Sequence, residues 1–140
     1  MAANIRITAD NRDIFERAMK MATEVALEAV GMKAEEYTRQ NIVDEKLVDT
    51  GNLKNSITHR VEAQESRVTI GTPVEYGVYH EVGTGIYYPS GRKDPWVYID
   101  DKGQAHKTRG VKPKHFLKRA MEEHYDEYKG VINDVFKGVR

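Results

Sequence analysis

The stretch VEYGVYHEVGTG, Val74 to Gly85, decides how the middle of the chain is read. Tyr76, Val78, His80 and Val82 recur at period two, the spacing of a half-buried β-strand. His80 beside Glu81 is raw material for hydrolytic chemistry, but successive side chains of a strand point to opposite faces. The pair therefore cannot reach one substrate atom or one metal ion unless the strand bulges. Gly83-Thr84-Gly85 lacks the third glycine of a dinucleotide loop and the Gly-Lys-Ser/Thr ending of a Walker loop. It reads as a hinge at which the strand turns sharply, with positive φ available at both glycines.

Working outward, Ile57, His59 and Val61, then Val68 and Ile70, repeat the alternation and are joined by short polar stretches, which gives an antiparallel meander. A further strand at WVYID pairs with QAHKT across a turn that uses Gly103. Between the third and fourth strands lies GIYYPSGRKDP, a long loop of the kind that carries function. LVDTGNLKNSI reads as a loop entering the first strand, because Asp49, Gly51, Asn52 and Asn55 supply turn chemistry.

Helices flank this central region. From Asn11 to about Asn41, Ile14, Ala18, Met21, Val25, Ala29 and Met32 recur at spacings of three and four, with Asp10 as cap, Asp13 in the first turn and Gly31 as an early end or bend. Roughly 30 residues at 1.5 Å each make a helix of about 45 Å. From Pro113, placed in a first turn, Phe116, Leu117, Ala120, Met121, Tyr128, Val131, Ile132 and Phe136 lay down a second apolar stripe. The expected class is α+β: one domain over residues 1–140, with a long N-terminal helix, a small antiparallel sheet of three to five strands, a loop and hairpin insert at 86–112, and a C-terminal helix packed on the sheet.

Composition removes several classes of function. With 140 residues and 39% hydrophobic content the chain has a modest core, and 22 basic against 22 acidic residues give no net charge. No cysteine means no disulfide framework, thiolate zinc site or cysteine nucleophile. No apolar run approaches the roughly 18 residues of a membrane span, so a soluble protein without membrane contact is expected. The five histidines, His59, His80, His106, His115 and His124, show no zincin pair at i, i+4. Asp49-Thr50-Gly51 has the letters of an aspartic protease triplet, but a long helix precedes it, and an Asx-type turn is the simpler role. No catalytic, cofactor or metal residue is assigned.

Charge is unevenly spread. Arg92 to Arg119 carries nine Lys or Arg against three acids, whereas Glu24 to Asp49 carries seven acids against three bases. Opposite regions on one neutral chain suit head-to-tail association of copies. The basic region, with Tyr87, Tyr88, Trp96 and Tyr98 beside it, equally suits contact with nucleic acid.

Three blocks in order, VDTGNLKNSI, VTIGTPVEYGVYHEVGTG and PKHFLKRAMEEH, resemble the signature blocks of the tail-completion, or head-to-tail joining (neck), proteins of long-tailed bacteriophages, the family typified by gene product ten of a lambdoid phage. The matching positions are Asp49, Thr50, Gly51, Leu53 and Ser56; Tyr76, Glu81, Gly83, Thr84 and Gly85; and Pro113, Phe116 and Leu117. Gly77 stands where the family usually has alanine, and both are small. The resemblance implies a non-enzymatic virion protein, present in the host cytoplasm during assembly and then at the head-tail interface. Copies would form a homo-oligomeric, sixfold ring from monomers, between a head-completion or connector protein and a tail-terminator or tail-tube protein, around a channel where non-specific DNA contact occurs. Tyr87, Tyr88, Arg92, Lys93 and Trp96 are the expected contact loop. The alternative is a small nucleic-acid-processing or metal-dependent enzyme using His80, Glu81 and the basic segment 92–119.

Overall fold

A computed structural model describes residues 12–47, 50–100 and 102–139; Asp10 and Asp49 lie outside the described residues. The class is α+β. Helix α1 (Arg12–Asp44) is followed by α2 (Thr50–Ser56), the hairpin β1 (Thr58–Glu62) and β2 (Arg67–Gly71), α3 (Glu75–Val82), the hairpin β3 (Trp96–Ile99) and β4 (Ala105–Thr108), then α4 (Phe116–Glu123) and α5 (Tyr125–Lys137). The four strands form two separate two-stranded antiparallel sheets.

Several sequence expectations are corrected, the single small sheet being two separate hairpins. The supposed third strand is helix α3, in which residues four apart meet: the Tyr79 hydroxyl donates to Glu75 at 3.1 Å, and Tyr76 and His80 make an edge-on ring contact. LVDTGNLKNSI does not run straight into a strand, because 50–56 coil into α2 to bury Leu53. Pro113 is not in a helical first turn; α4 begins at Phe116, after His115 in a left-handed conformation (φ 49°), and a turn at His124 separates α4 from α5.

Helix α1 is the spine. It buries Ala26, Leu27, Val30, Ala34, Thr38 and Ile42, a face offset from the stripe whose spacing marks it as a helix. Val30, Ala34 and the α5 residue Tyr128 form one cluster, joined by Val68 and Ile70 of β2 and by Val131 and Ile132. Tyr128 donates its hydroxyl to the Ala120 carbonyl at 2.7 Å, and burial pushes its pKa up to about 12. Lys33 and Tyr37 both donate to the Glu127 carboxylate, tying α5 to the spine. The second cluster, Ile42, Leu47, Leu53, Ile57 and Phe116, lies at the C-terminal end of α1.

The β1–β2 hairpin is pinned by His59. Gly31 does not end or bend α1 early; a Cβ there would lie 2.4 Å from His59 Cδ2, so the glycine lets the imidazole lie against the helix. Nδ1 contacts Glu35 and Nε2 contacts Glu28, each at 2.6 Å, and two carboxylate partners call for N–H at both nitrogens. Partial burial opposes the charged ring, but the hydrogen bonds and charges of Glu35 and Glu28 outweigh it and raise the pKa above its usual 6.5. Arg39, which donates to Glu35 and to the Ile57 carbonyl, is the other charge facing this cluster. A raised folded-state pKa contributes stability fully present below about 6.5 and lost as pH rises through the higher folded value. His80, whose lowered pKa acts in the opposite sense, is common to wild type and His59→Gln, so the difference between their thermal midpoints isolates His59. The wild-type advantage is expected to shrink from pH 6 to pH 8, and an advantage that grows across this window would contradict the assignment.

Candidate functional site

Residues from the three sequence blocks meet around α3. Thr72 starts it: its hydroxyl accepts the Val74 N–H at 3.0 Å and shares a 2.6 Å hydrogen bond with Ser56, which also donates to the Leu53 carbonyl. Gly77 is buried against Leu53, where a Cβ would come within 2.9 Å of Leu53 Cδ1, with Phe116 Cζ at 3.9 Å. The first block thus touches the second through Leu53 and Ser56, and Phe116 brings in the third.

The third block is held by reciprocal capping. Helix α4 has no side-chain cap of its own at His115. Glu81 of α3 supplies it, its two oxygens accepting the N–H groups of Leu117 at 2.8 Å and Lys118 at 2.9 Å. A carboxylate there satisfies two orphan donors and complements the positive end of the helix. In return, the N–H groups of Lys114 and His115 donate to the carbonyls of His80 and Glu81 at the C-terminal end of α3. Asn41 of α1 donates to the Phe116 carbonyl at 3.0 Å, and Arg119 pairs with Glu45 at 2.8 Å.

The glycines close a neck. Gly83 (φ 81°) and Gly85 (φ 60°) adopt the positive φ expected of them, but they do not form an open hinge. A Cβ on Gly83 would meet Pro113 Cδ and the Val111 carbonyl oxygen at 2.9 Å, and one on Gly85 would lie 2.0 Å from the Arg109 carbonyl oxygen. Thr84 N–H donates to Val111, Ile86 N–H to Arg109, and Val111 N–H to the Thr84 hydroxyl, at 2.9 to 3.0 Å. Backbone crosses backbone here, so the whole insert leaves and re-enters the domain through one point.

From that neck hang the aromatic loop and the β3–β4 hairpin. Tyr87 and Tyr88 are exposed; Arg92 lies over the ring of Trp96 (5.8 Å) and Lys112 over that of Tyr87 (5.9 Å). Lys93 donates to the Tyr88 carbonyl at 3.2 Å. Asp100, its carboxyl held below the usual range chiefly by the His106 hydrogen bond, caps the turn that contains Gly103.

Thr50 opens α2, and Gly51 is exposed on it with nothing within 4 Å of where a Cβ would lie, so Gly51 makes no contact with this junction. His80 and Glu81 are neighbours on a helix rather than on a strand, yet they do not form a catalytic pair. Both oxygens of Glu81 are committed to backbone donors, and His80 Nδ1 is buried without a partner, with burial and then the Lys114 charge lowering its pKa. Among the described residues no group of three or more His, Asp or Glu could hold a metal ion. No helix among them is long and apolar enough to cross a membrane. The sequence reading missed Thr72, Asn41 and Gly110, whose Cβ would lie 2.2 Å from the Thr84 carbonyl oxygen; Thr72 bonds the N–H of Val74, the N-cap residue, so Thr-Pro-Val-Glu is a turn leading into α3 rather than a capping box.

A family model described as "Bacteriophage HK97-gp10, putative tail-component" matches residues 6–83, more than half of the chain. The chain belongs to the HK97-gp10-like family. No curated protein and no solved structure matches it. The HK97-gp10-like match spans the first sequence block and the second up to Gly83, short of Thr84 and Gly85. In this HK97-gp10-like chain the third block is joined to the other two by Glu81 and Phe116.

Proposed function

We propose that this phage tail-component protein is a non-catalytic neck protein, whose copies form a ring at the head-tail junction and complete the tail while leaving a channel for DNA. The observation that carries the reading is the division of the molecule into a locked node and an insert. Glu81, Phe116 and the glycine neck fix the node, while the insert leaves Ile86, Tyr87, Tyr88, Val97, Tyr98 and Ile99 exposed. Exposed aromatic and aliphatic groups beside cations are the composition of a protein interface, and a two-stranded hairpin is marginal until something covers it. Tyr87, Tyr88, Arg92, Lys93 and Trp96 would grip the neighbouring connector or tail ring, and the basic side chains would line or border the DNA path.

Replacing the side chains of Tyr87, Tyr88, Arg92 and Lys93 with serine in the phage that encodes this protein tests the reading. These substitutions keep Gly91, which packs on Gly85, and the Tyr88 N–H bond to the Gly85 carbonyl, so the neck is preserved, and electron micrographs are expected to show separate heads and tails or heads that have lost DNA. Normally tailed, infectious particles would remove the loop from the junction.

A further inference from the structure

We infer that the ring, on the reading just given, is built by seating the β3–β4 hairpin of one copy on the outward face of α1 in the next. Two surfaces are left uncovered by the described residues and match each other. On α1, Ile14, Met21, Val25 and Met32 are between 57% and 65% exposed. At 100° per residue they form one stripe on the side away from Val30 and Ala34, so the feature that identifies the helix in the sequence is the face the fold leaves bare. Three positions after Met21 and Val25 stand Glu24 and Glu28, which give the middle of the stripe an acidic margin; Glu28 shares His59 and stays 56% exposed, Arg17 follows Ile14, and Glu35 is taken up by His59 and Arg39. A groove between α1 and the β1–β2 hairpin, lined by Lys20, Glu24, Glu28, Val61, Ala63 and Gln64, opens along that margin.

The hairpin offers the complement. In its register Val97 pairs with Lys107 and Ile99 with Ala105, so these four side chains share one face, while Trp96, Tyr98, His106 and Thr108 share the other. The second face is internally occupied by the Tyr98–His106 stack and by Arg92 over Trp96. The first is bare: Val97 and Ile99 are 62% and 70% exposed, and Lys107 has no ion pair among the described residues. It is an aliphatic patch with one cation, facing chemistry that is an aliphatic stripe with an acidic margin. Lengths agree as well, since four strand residues span roughly 13 Å and the eleven steps from Met21 to Met32 roughly 16 Å. Because the patch and the stripe are different surfaces, the contact is heterologous, the type that generates rings.

The chain has no cysteine, so engineered thiols report without background. Val25→Cys and Ile99→Cys place them on the two surfaces at exposed positions that the fold tolerates. Particles assembled from an equal mixture of the two full-length variants, then oxidised, are expected to yield as the dominant product the mixed dimer, in which a V25C copy is linked to an I99C copy. Dominance of either homodimer would overturn the inference in favour of a symmetric contact. Rings seen in the particles with no disulfide would overturn the hairpin-on-helix contact and leave the neck reading standing. Particles with no ring of this protein at all would overturn both.

Discussion

Phe116→Ala is expected to destabilise the domain by roughly 3–5 kcal/mol, the range for truncating a fully buried aromatic. Phe116 has no exposed surface and packs with Ile42 and Leu47 at the end of α1 and with Leu53 and Ile57 of the α2 region, with Gly77 of α3 above its ring. Three segments, the end of α1, the α2 region and α3, lose their common neighbour when the ring goes. Collapse around the void is restricted, because Glu81 and Asn41 hold the α4 backbone in place. Domains of this size have about 5–15 kcal/mol in total, so the variant would sit near the limit of folding. Urea titration should show a large drop in midpoint with little change in slope, and Phe116→Leu should recover most of it. A loss under about 1 kcal/mol would mean that the cluster repacks freely.

How far the sequence reveals this architecture depends on the length over which a pattern runs. Helix α1, with 33 residues, shows its period unmistakably, and the β3–β4 turn is announced by Gly103. Helix α3 has eight residues, too few to separate period two from period 3.6, and Tyr76, Val78, His80 and Val82 fit both. What settles it is contact from outside the segment: Gly77 must pass beneath Leu53 and Phe116. Helix α2 is a similar case, its Gly51, Asn52 and Asn55 having poor helix propensity that burial of Leu53 overrides. The outward stripe of α1 carries the same lesson in reverse, since amphipathic spacing identifies a helix without saying which face is covered, or by what.

The roles of the site residues were less legible than their identities. The resemblance picks out Glu81 and Gly85, but that Glu81 caps a helix beginning 35 residues later, or that Gly85 lies under the Arg109 carbonyl, follows only once residues 111–115 have run back along α3. Capping usually links neighbours in sequence, and no local pattern encodes a cap supplied from another helix.

Gly85→Ala is expected to open the neck without unfolding the node. The substitution forces an alanine to hold φ 60°, and it drives a Cβ to within 2.0 Å of the Arg109 carbonyl oxygen, a backbone atom that cannot swing aside. Strain at such a position costs roughly 1–3 kcal/mol, and each neck hydrogen bond lost adds about 0.5–1.5 kcal/mol. The sum exceeds what a two-stranded hairpin and a surface loop contribute to their own order, so relief comes by releasing residues 86–109 rather than by melting the core. Hydrogen exchange should then rise sharply at the amides of Thr84, Ile86 and Val111 and along β3 and β4, while Leu117 and Lys118, capped by Glu81, stay protected. Gly103→Ala separates the two causes. It imposes a similar dihedral (φ 79°) but meets nothing within 4 Å, so it should loosen only its own turn. Equal exchange at the neck in both variants would show that backbone conformation alone, and not the crossing of chain over chain, holds the insert in place. If the neck instead behaves as the contacts require, Gly85→Ala particles should fail in joining while the protein itself remains folded, placing the position of the insert, rather than the stability of the node, at the centre of assembly.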